Sequence, residues 1–207
     1  MENLLNFFIE TGKLKSKKRK GWIFRGVREP ETIADHTFRM AIMAWILGEQ
    51  KKFNINKLLK MSLIHDLCEV YAGDTTPYDK LLPKDKKKWK KITQEWPRFT
   101  KKEKGKIFQE KYKKENQALE RMILKLPPSL KKEIKNLWID YEKGLTPEGR
   151  FVHQVDRVEN LLQALEYWKK DRPFAIGPWW IQIEELVDDP FLLKFIELLE
   201  KKFHKKR

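Results

Sequence analysis

The stretch SLIHDLCEV, residues 62–70, sets an imidazole beside a carboxylate in a run that otherwise has the apolar spacing of a helix core. The chain carries only four histidines in 207 residues, so the placement asks for a reason. Burying such a pair costs several kcal/mol of desolvation unless something compensates it. Either His65 and Asp66 lie on the solvent face, or their partner is not a residue of the chain. Adjacent helical residues point about 100° apart, so the two can share an ion that sits between them. Glu69 comes four residues after His65 and three after Asp66, which stacks it over the same face. Gly73 is a helix stop, and Asp74 directly after it can fold its carboxylate back over that end. One short segment thus supplies an imidazole and three carboxylates, whose mutual repulsion is hard to explain without a cation.

Outward from this segment the apolar spacing is helical almost throughout, and no stretch alternates with the period of a strand. A first helix is expected over residues 2–11, ending near Gly12, followed by a basic, glycine-punctuated connection. TIAD at 32–35 has the form of a capping box, with Thr32 as N-cap and Asp35 reaching back. His36, Met40, Met43 and Leu47 then share one helix face. Asn56 is placed to cap a helix running to about Ala72. Residues 83–106 are the most polar segment, expected as a Lys-rich insertion forming a mobile excursion or short surface helices. Helical periodicity resumes over residues 107–126 and again over 129–142. Thr146 caps, and Pro147 opens, a helix with the stripe Phe151, Val155, Val158, Leu162 and Leu165. A shorter helix follows. Asp189-Pro190 begins a last one, which runs into a basic tail at 201–207. The expectation is an all-α fold, a single domain over residues 1–207.

Composition bounds the setting. A 41% apolar fraction, with 12% aromatics, can fill a sizeable core without disulfides. Cys68 is the only cysteine and reads as a small buried hydrophobe in a reducing compartment. The N-terminus, MENLLNFFIETGKL, is amphipathic and unlike a signal peptide, and no apolar run reaches membrane-spanning length. A soluble cytoplasmic protein with no membrane partner is expected. The net charge of +15 favours phosphate-bearing partners, nucleic acid or small phosphorylated molecules. The same lysines, with 36% charged residues of both signs interspersed, also match a thermophile-like surface. Charge alone names no ligand.

Further ligands for a cation can be sought elsewhere. His36 heads a helix on the face that should pack inward, and Asp156 in FVHQVDRVEN flanks the apolar stripe of the later helix. Read singly, His36 caps or packs, HD is a common dipeptide, and Asp156 pairs with Arg157. Their combination is more specific. His36, His65, Asp66 and Asp156 make a set of two nitrogens and two carboxylates without a thiolate. That set suits Mn, Co, Fe, Ni or Mg, with positions left for water; Zn stays open, though thiolate or three-His sites are more usual for it.

The order H…HD…D on consecutive helices resembles the HD-domain metal-dependent phosphohydrolases and, within them, the 5′-deoxynucleotidases of the HD domain-containing protein 2 branch. The stretches that carry the resemblance are GWIFRGVREPETIADHTFRMA, LIHDLCEVYAGDTTPYD and FVHQVDRVENLLQALEYW. It implies an HD-type helical bundle, often homodimeric, in which His36, His65, Asp66 and Asp156 ligate one divalent metal. Glu69 and Asp74 match the block HDxxExxxGD, whose carboxylates serve catalysis. The implied reaction takes 2′-deoxyribonucleoside 5′-monophosphates to deoxynucleoside and phosphate. In the bacterial enzymes an arginine directly precedes the tryptophan and holds the phosphate, whereas here Gly21 precedes Trp22. Lys20, Arg25 or Arg28 could replace it, and Trp22 matches the position near the sugar. Two rivals keep the metal and change the substrate: a phosphodiesterase and a nucleoside polyphosphate hydrolase. A third, a basic nucleic-acid-binding protein, explains the lysines but not HDLCEVYAGD.

Overall fold

Polar caps start the helices that carry the candidate residues. The computed structural model describes residues 1–204; the last three residues of the expected basic tail lie outside them. In chain order the helices are α1 (Glu2–Gly12), α2 (Lys20–Phe24), α3 (Ile33–Gln50), α4 (Ile55–Ile64), α5 (Glu69–Ala72), α6 (Trp89–Ile92), α7 (Lys101–Ile123), α8 (Pro128–Lys143), α9 (Pro147–Asp171), α10 (Gly177–Leu186) and α11 (Pro190–His204). One isolated antiparallel bridge, Lys18 to Thr32, is the extended pairing found among the described residues. The fold is all-α and a single domain. Among the described residues no helix is long and apolar enough to cross a membrane.

The capping box forms as read. The Thr32 hydroxyl accepts the Asp35 N–H, and the Asp35 carboxylate accepts the Thr32 N–H at 2.8 Å. Thr146 likewise accepts the Gly149 N–H at the start of α9. Asp189 accepts from Phe191 and Leu192 at the start of α11.

Two expectations need correction. Asn54, not Asn56, caps α4, accepting the Lys57 N–H at 3.1 Å. The helix also does not continue to Ala72. From Ile64 the backbone tightens to three-residue hydrogen bonds, Leu67 to Ile64, Glu69 to Asp66 and Val70 to Leu67. His65 and Asp66 therefore occupy a turn between α4 and α5, a geometry common where a helix is interrupted for function. In the Lys-rich segment, α7 starts earlier than expected because Thr100 and Glu103 form a second capping box.

α9 is the central element, with Val152, Val155, Val158, Leu161 and Leu165 fully buried. Each such side chain contributes about 1.5–3 kcal/mol. α3, α4, α8, α10 and α11 all pack on it. A second cluster gathers Leu67, Cys68 and Val70 with Leu119, Ile123 and Trp138. Met61 belongs to the first cluster and Leu67 to the second, so the His65–Asp66 turn lies at the seam of two cores.

Candidate metal centre

His36 comes from the first turn of α3, His65 from the turn after α4, and Asp156 from the middle of α9. All three are buried, and one ligand atom from each lies within 4.8 Å of the others. His36 Nε2 is 3.1 Å from Asp156 Oδ1, and His65 Nε2 is 3.1 Å from Asp66 Oδ2. The Nδ1 side of each ring is taken. His36 Nδ1 bonds the Glu159 carboxylate, and His65 Nδ1 donates to the Ser62 carbonyl at 2.7 Å. In the tautomer that donates from Nδ1, the lone pair is on Nε2. Both Nε2 atoms are buried and each lies 3.1 Å from a carboxylate oxygen, yet neither contact has the alignment of a hydrogen bond. A buried polar atom left unpaired costs about 1–3 kcal/mol. Two of them converging on carboxylates is the arrangement a divalent ion satisfies, with Glu159 and the Ser62 carbonyl orienting the rings from outside.

The electrostatics agree. Burial opposes ionisation of Asp156, but Arg157 and His36 outweigh it and hold the carboxyl well below its usual range. Asp66 is held low against burial by His65 and Arg19. Burial and Arg19 push the His36 imidazolium down, yet Glu159 and Asp156 carry it up to about 10. Without a metal, a proton on His36 takes up the surrounding negative charge.

Several residues of this network escaped the sequence reading, Arg19, Asn160, Glu159 and Tyr141 among them. Arg19 donates to Asp66 at 2.9 Å and to Asn160 Oδ1 at 2.8 Å, while Asn160 Nδ2 donates to Asp156 at 2.9 Å. It thus ties both carboxylates, one directly and one through an amide. Glu159 is fully buried and accepts from Arg39 Nε at 2.8 Å as well as from His36. The available signals were the basic run before Gly21-Trp22, and the spacing of Glu159 three residues from Asp156 on one helix face. Tyr141 completes the shell, donating to Asp156 Oδ2 at 2.9 Å.

A narrow cleft adjoins this network. Arg19, Asp74, Arg157 and Asn160 line it together with Trp22, Arg25, Trp96 and Trp179. The Asp74 carboxylate accepts the Lys20 backbone N–H at 2.6 Å, whereas the Lys20 ammonium turns to Asp79. Trp22 is both packing and wall: it stacks on Trp179 at 4.7 Å and donates to Glu31 at 2.8 Å. Arg25 is buried, and Arg28 is exposed and is not among the lining residues. Glu69 is buried and does not line the cleft either. Burial, then the Asp66 and Asp74 carboxylates, push its carboxyl well up.

Imidazole and carboxylate donors at the seam of a helical bundle, beside a cleft rich in guanidinium groups, define a metal-dependent phosphohydrolase. The chain belongs to the HD domain family, whose model matches residues 11–178. It is 38% identical over 177 residues to the 5′-deoxynucleotidase HDDC2 of Dictyostelium discoideum, covering 82% of this chain and 80% of that one. The HDDC2 proteins of Xenopus laevis and Bos taurus are 36% and 34% identical, covering 80% and 96% of this chain and 70% and 84% of theirs. A conserved hypothetical protein of Pyrococcus furiosus has a similar structure, with a TM-score of 0.70 at 26% identity over 95% of this chain and 99% of that one. HD membership implies a divalent metal, and the two Nε2 atoms, which lack an aligned hydrogen bond, fit one.

Proposed function

We propose that the chain hydrolyses 2′-deoxyribonucleoside 5′-monophosphates to deoxynucleoside and phosphate, with one divalent ion held by His36, His65, Asp66 and Asp156. The observation that carries this reading is the pair of buried Nε2 atoms that face carboxylate oxygens without a well-aligned hydrogen bond, beside a cleft lined by arginines. The name 5′-deoxynucleotidase, shared by the relatives, supports it. The thiolate-free donor set favours Mn, Co, Fe, Ni or Mg over Zn. When bound, such an ion withdraws charge from phosphorus and acidifies a water.

The remaining work falls to the chain. The guanidinium groups of Arg19 and Arg157 oppose the negative charge that makes a phosphate monoester resist attack. Asp74, anchored by the Lys20 N–H, takes the proton of the attacking water or delivers one to the leaving 5′-oxygen. Glu69, buried behind the Asp66 and Asp74 carboxylates that push its carboxyl up, tunes the charge of that pair from outside the cleft. Trp22 forms the cleft wall, Lys20 contributes its backbone N–H, and Arg25 serves the cleft from its aromatic side.

The protein acts as a homodimer in this account. Phe38, Ile42, Trp45 and Ile46 present an exposed apolar stripe on α3, which supports association of two copies. Sedimentation of wild type against Trp45→Glu checks it, a dimer giving way to a monomer. The test of function is phosphate release from a nucleotide panel by metal-stripped protein with single divalent ions restored. Release from deoxynucleoside monophosphates is expected. Release confined to cyclic or polyphosphate substrates would transfer the site to a phosphodiesterase or polyphosphate hydrolase. Metal-independent, salt-sensitive binding of RNA or DNA without hydrolysis would favour the nucleic-acid reading.

A further inference from the structure

Three side-chain amides are buried among the described residues, and the chain satisfies two of them. Gln154 donates to the Asp188 carboxylate at 2.8 Å and accepts the backbone N–H groups of Asp188 and Asp189 at 3.0 and 2.9 Å. Asn160 accepts from Arg19 and donates to Asp156. Gln182, in α10, is the third. It is 8% exposed, and its amide makes no hydrogen bond with the described residues. It lines the cleft, and its amide atoms keep accessible surface, whereas the indole N–H of Trp179 one turn earlier on the same helix is sealed.

A polar group taken out of most of its water and given no partner is the costly state, and one left so in a folded chain asks for an explanation. The surroundings supply it. α10 packs on α9, which carries Asp156, Arg157 and Asn160. Trp179 stacks on Trp22 at 4.7 Å. Gln182 thus shares one cleft with the guanidinium groups of Arg19 and Arg157 and with the stacked indoles. The guanidinium groups suit a phosphate, because bonds to charged groups are about twice as strong as neutral ones. An amide offers a donor and an acceptor side by side, which matches an uncharged group that also does both: a sugar hydroxyl, or the edge of a base.

We propose that Gln182 is a substrate-binding residue that hydrogen-bonds the uncharged nucleoside half of the substrate, through the 3′-hydroxyl of the sugar or the edge of the base. The inference rests on the nucleotide reading above and adds to it a residue that recognises more than the phosphate. The free protein carries a lone amide, and the bound nucleoside supplies its partner.

Gln182→Met keeps the length of the side chain and removes the amide. That amide has no partner in the free protein, so the variant should unfold at the same denaturant concentration as wild type or at a higher one. Affinity is then compared in metal-loaded enzyme for the deoxynucleoside monophosphate that wild type hydrolyses best, its 2′,3′-dideoxy counterpart and 2-deoxyribose 5-phosphate, each as substrate or competitive inhibitor, and for inorganic phosphate as product inhibitor. The variant should bind the nucleotide about 3- to 12-fold more weakly, through KM with kcat unchanged, and bind phosphate as tightly as wild type. A loss that vanishes with the dideoxynucleotide assigns the contact to the 3′-hydroxyl. One that vanishes with deoxyribose phosphate assigns it to the base. Should Gln182→Met not fold, Gln182→Ala carries the same comparison. Equal affinity of wild type and variant for the nucleotide would overturn the proposal and leave the deoxynucleotidase reading standing. An equal loss for inorganic phosphate would also overturn it, by placing the amide at the phosphate. So would a lowered unfolding midpoint with losses on every ligand, which would make Gln182 structural. Hydrolysis of no deoxynucleoside monophosphate by wild type would remove that reading and this contact with it.

Discussion

Glu159→Gln is the perturbation that separates a metal centre from a buried ion-pair network. One carboxylate oxygen of Glu159 accepts from Arg39 Nε at 2.8 Å and lies 2.7 Å from its Nη2, and the other accepts from His36 Nδ1. Glutamine keeps the shape but offers one acceptor and one amino donor. If the amide oxygen stays with Arg39, the His36 Nδ1–H faces a donor. The ring then gains by moving its proton to Nε2, the atom that should face the metal. Loss of an outer partner to a metal-bound histidine costs about 10- to 100-fold in metal affinity, which is about 1.4–2.7 kcal/mol. Titration calorimetry on stripped wild type and variant measures the difference directly. Turnover at saturating metal should recover much of its wild-type value, because no ligand has been removed. An unchanged dissociation constant in a folded variant would refute the reasoning, and His36 would then be structural.

Other perturbations probe separate links. Asp74→Ala should leave metal content unchanged and slow turnover by roughly two to four orders of magnitude; loss of metal would instead place Asp74 among the ligands. Gly149→Ala should destabilise the fold by about 1–3 kcal/mol, read by denaturant unfolding. The added Cβ would stand 2.7 Å from the Asp140 carbonyl oxygen where α8 meets α9, and an unchanged midpoint would mean this contact yields freely. Burial and the Glu142 carboxylate, opposed by Lys111, raise the Glu115 carboxyl to about 7. The folded chain therefore holds this proton more tightly than the unfolded one, and stability contributed by it falls as pH rises from about 4.5 to 7. The change is about 3 kcal/mol. Glu115→Gln should flatten that slope; an identical slope in the variant would assign it to other groups.

What could be read from the sequence was what depends on near neighbours. The capping box at Thr32–Asp35 and the Thr146 N-cap ahead of Pro147 are local cap chemistry, and both formed. The box at Thr100–Glu103 carries the same signal but sits in a run of lysines, where charge masked it. Asn54 and Asn56 are equally good caps in isolation; burial of Leu58 and Met61 on one face decides between them. The break after Ile64 left no glycine or proline to mark it, because the turn is held by packing of Met61 and Leu67 into two different cores. Arg19 and Glu159 were missed for a related reason. Their partners Asp66 and His36 lie 47 and 123 residues away, and only the fold joins them. Trp96 belongs to a segment read as solvated, yet it reaches the cleft.

The central claim is that one divalent ion at His36, His65, Asp66 and Asp156 makes the chain a deoxynucleotidase. Stripped protein titrated with Mn or Co, with phosphate release from a deoxynucleoside monophosphate followed at each addition, tests it most directly. Activity should rise in proportion to metal and break at one equivalent per chain, while Asp156→Ala stays inactive throughout. Activity that is full without metal, or that survives in Asp156→Ala, would contradict the account.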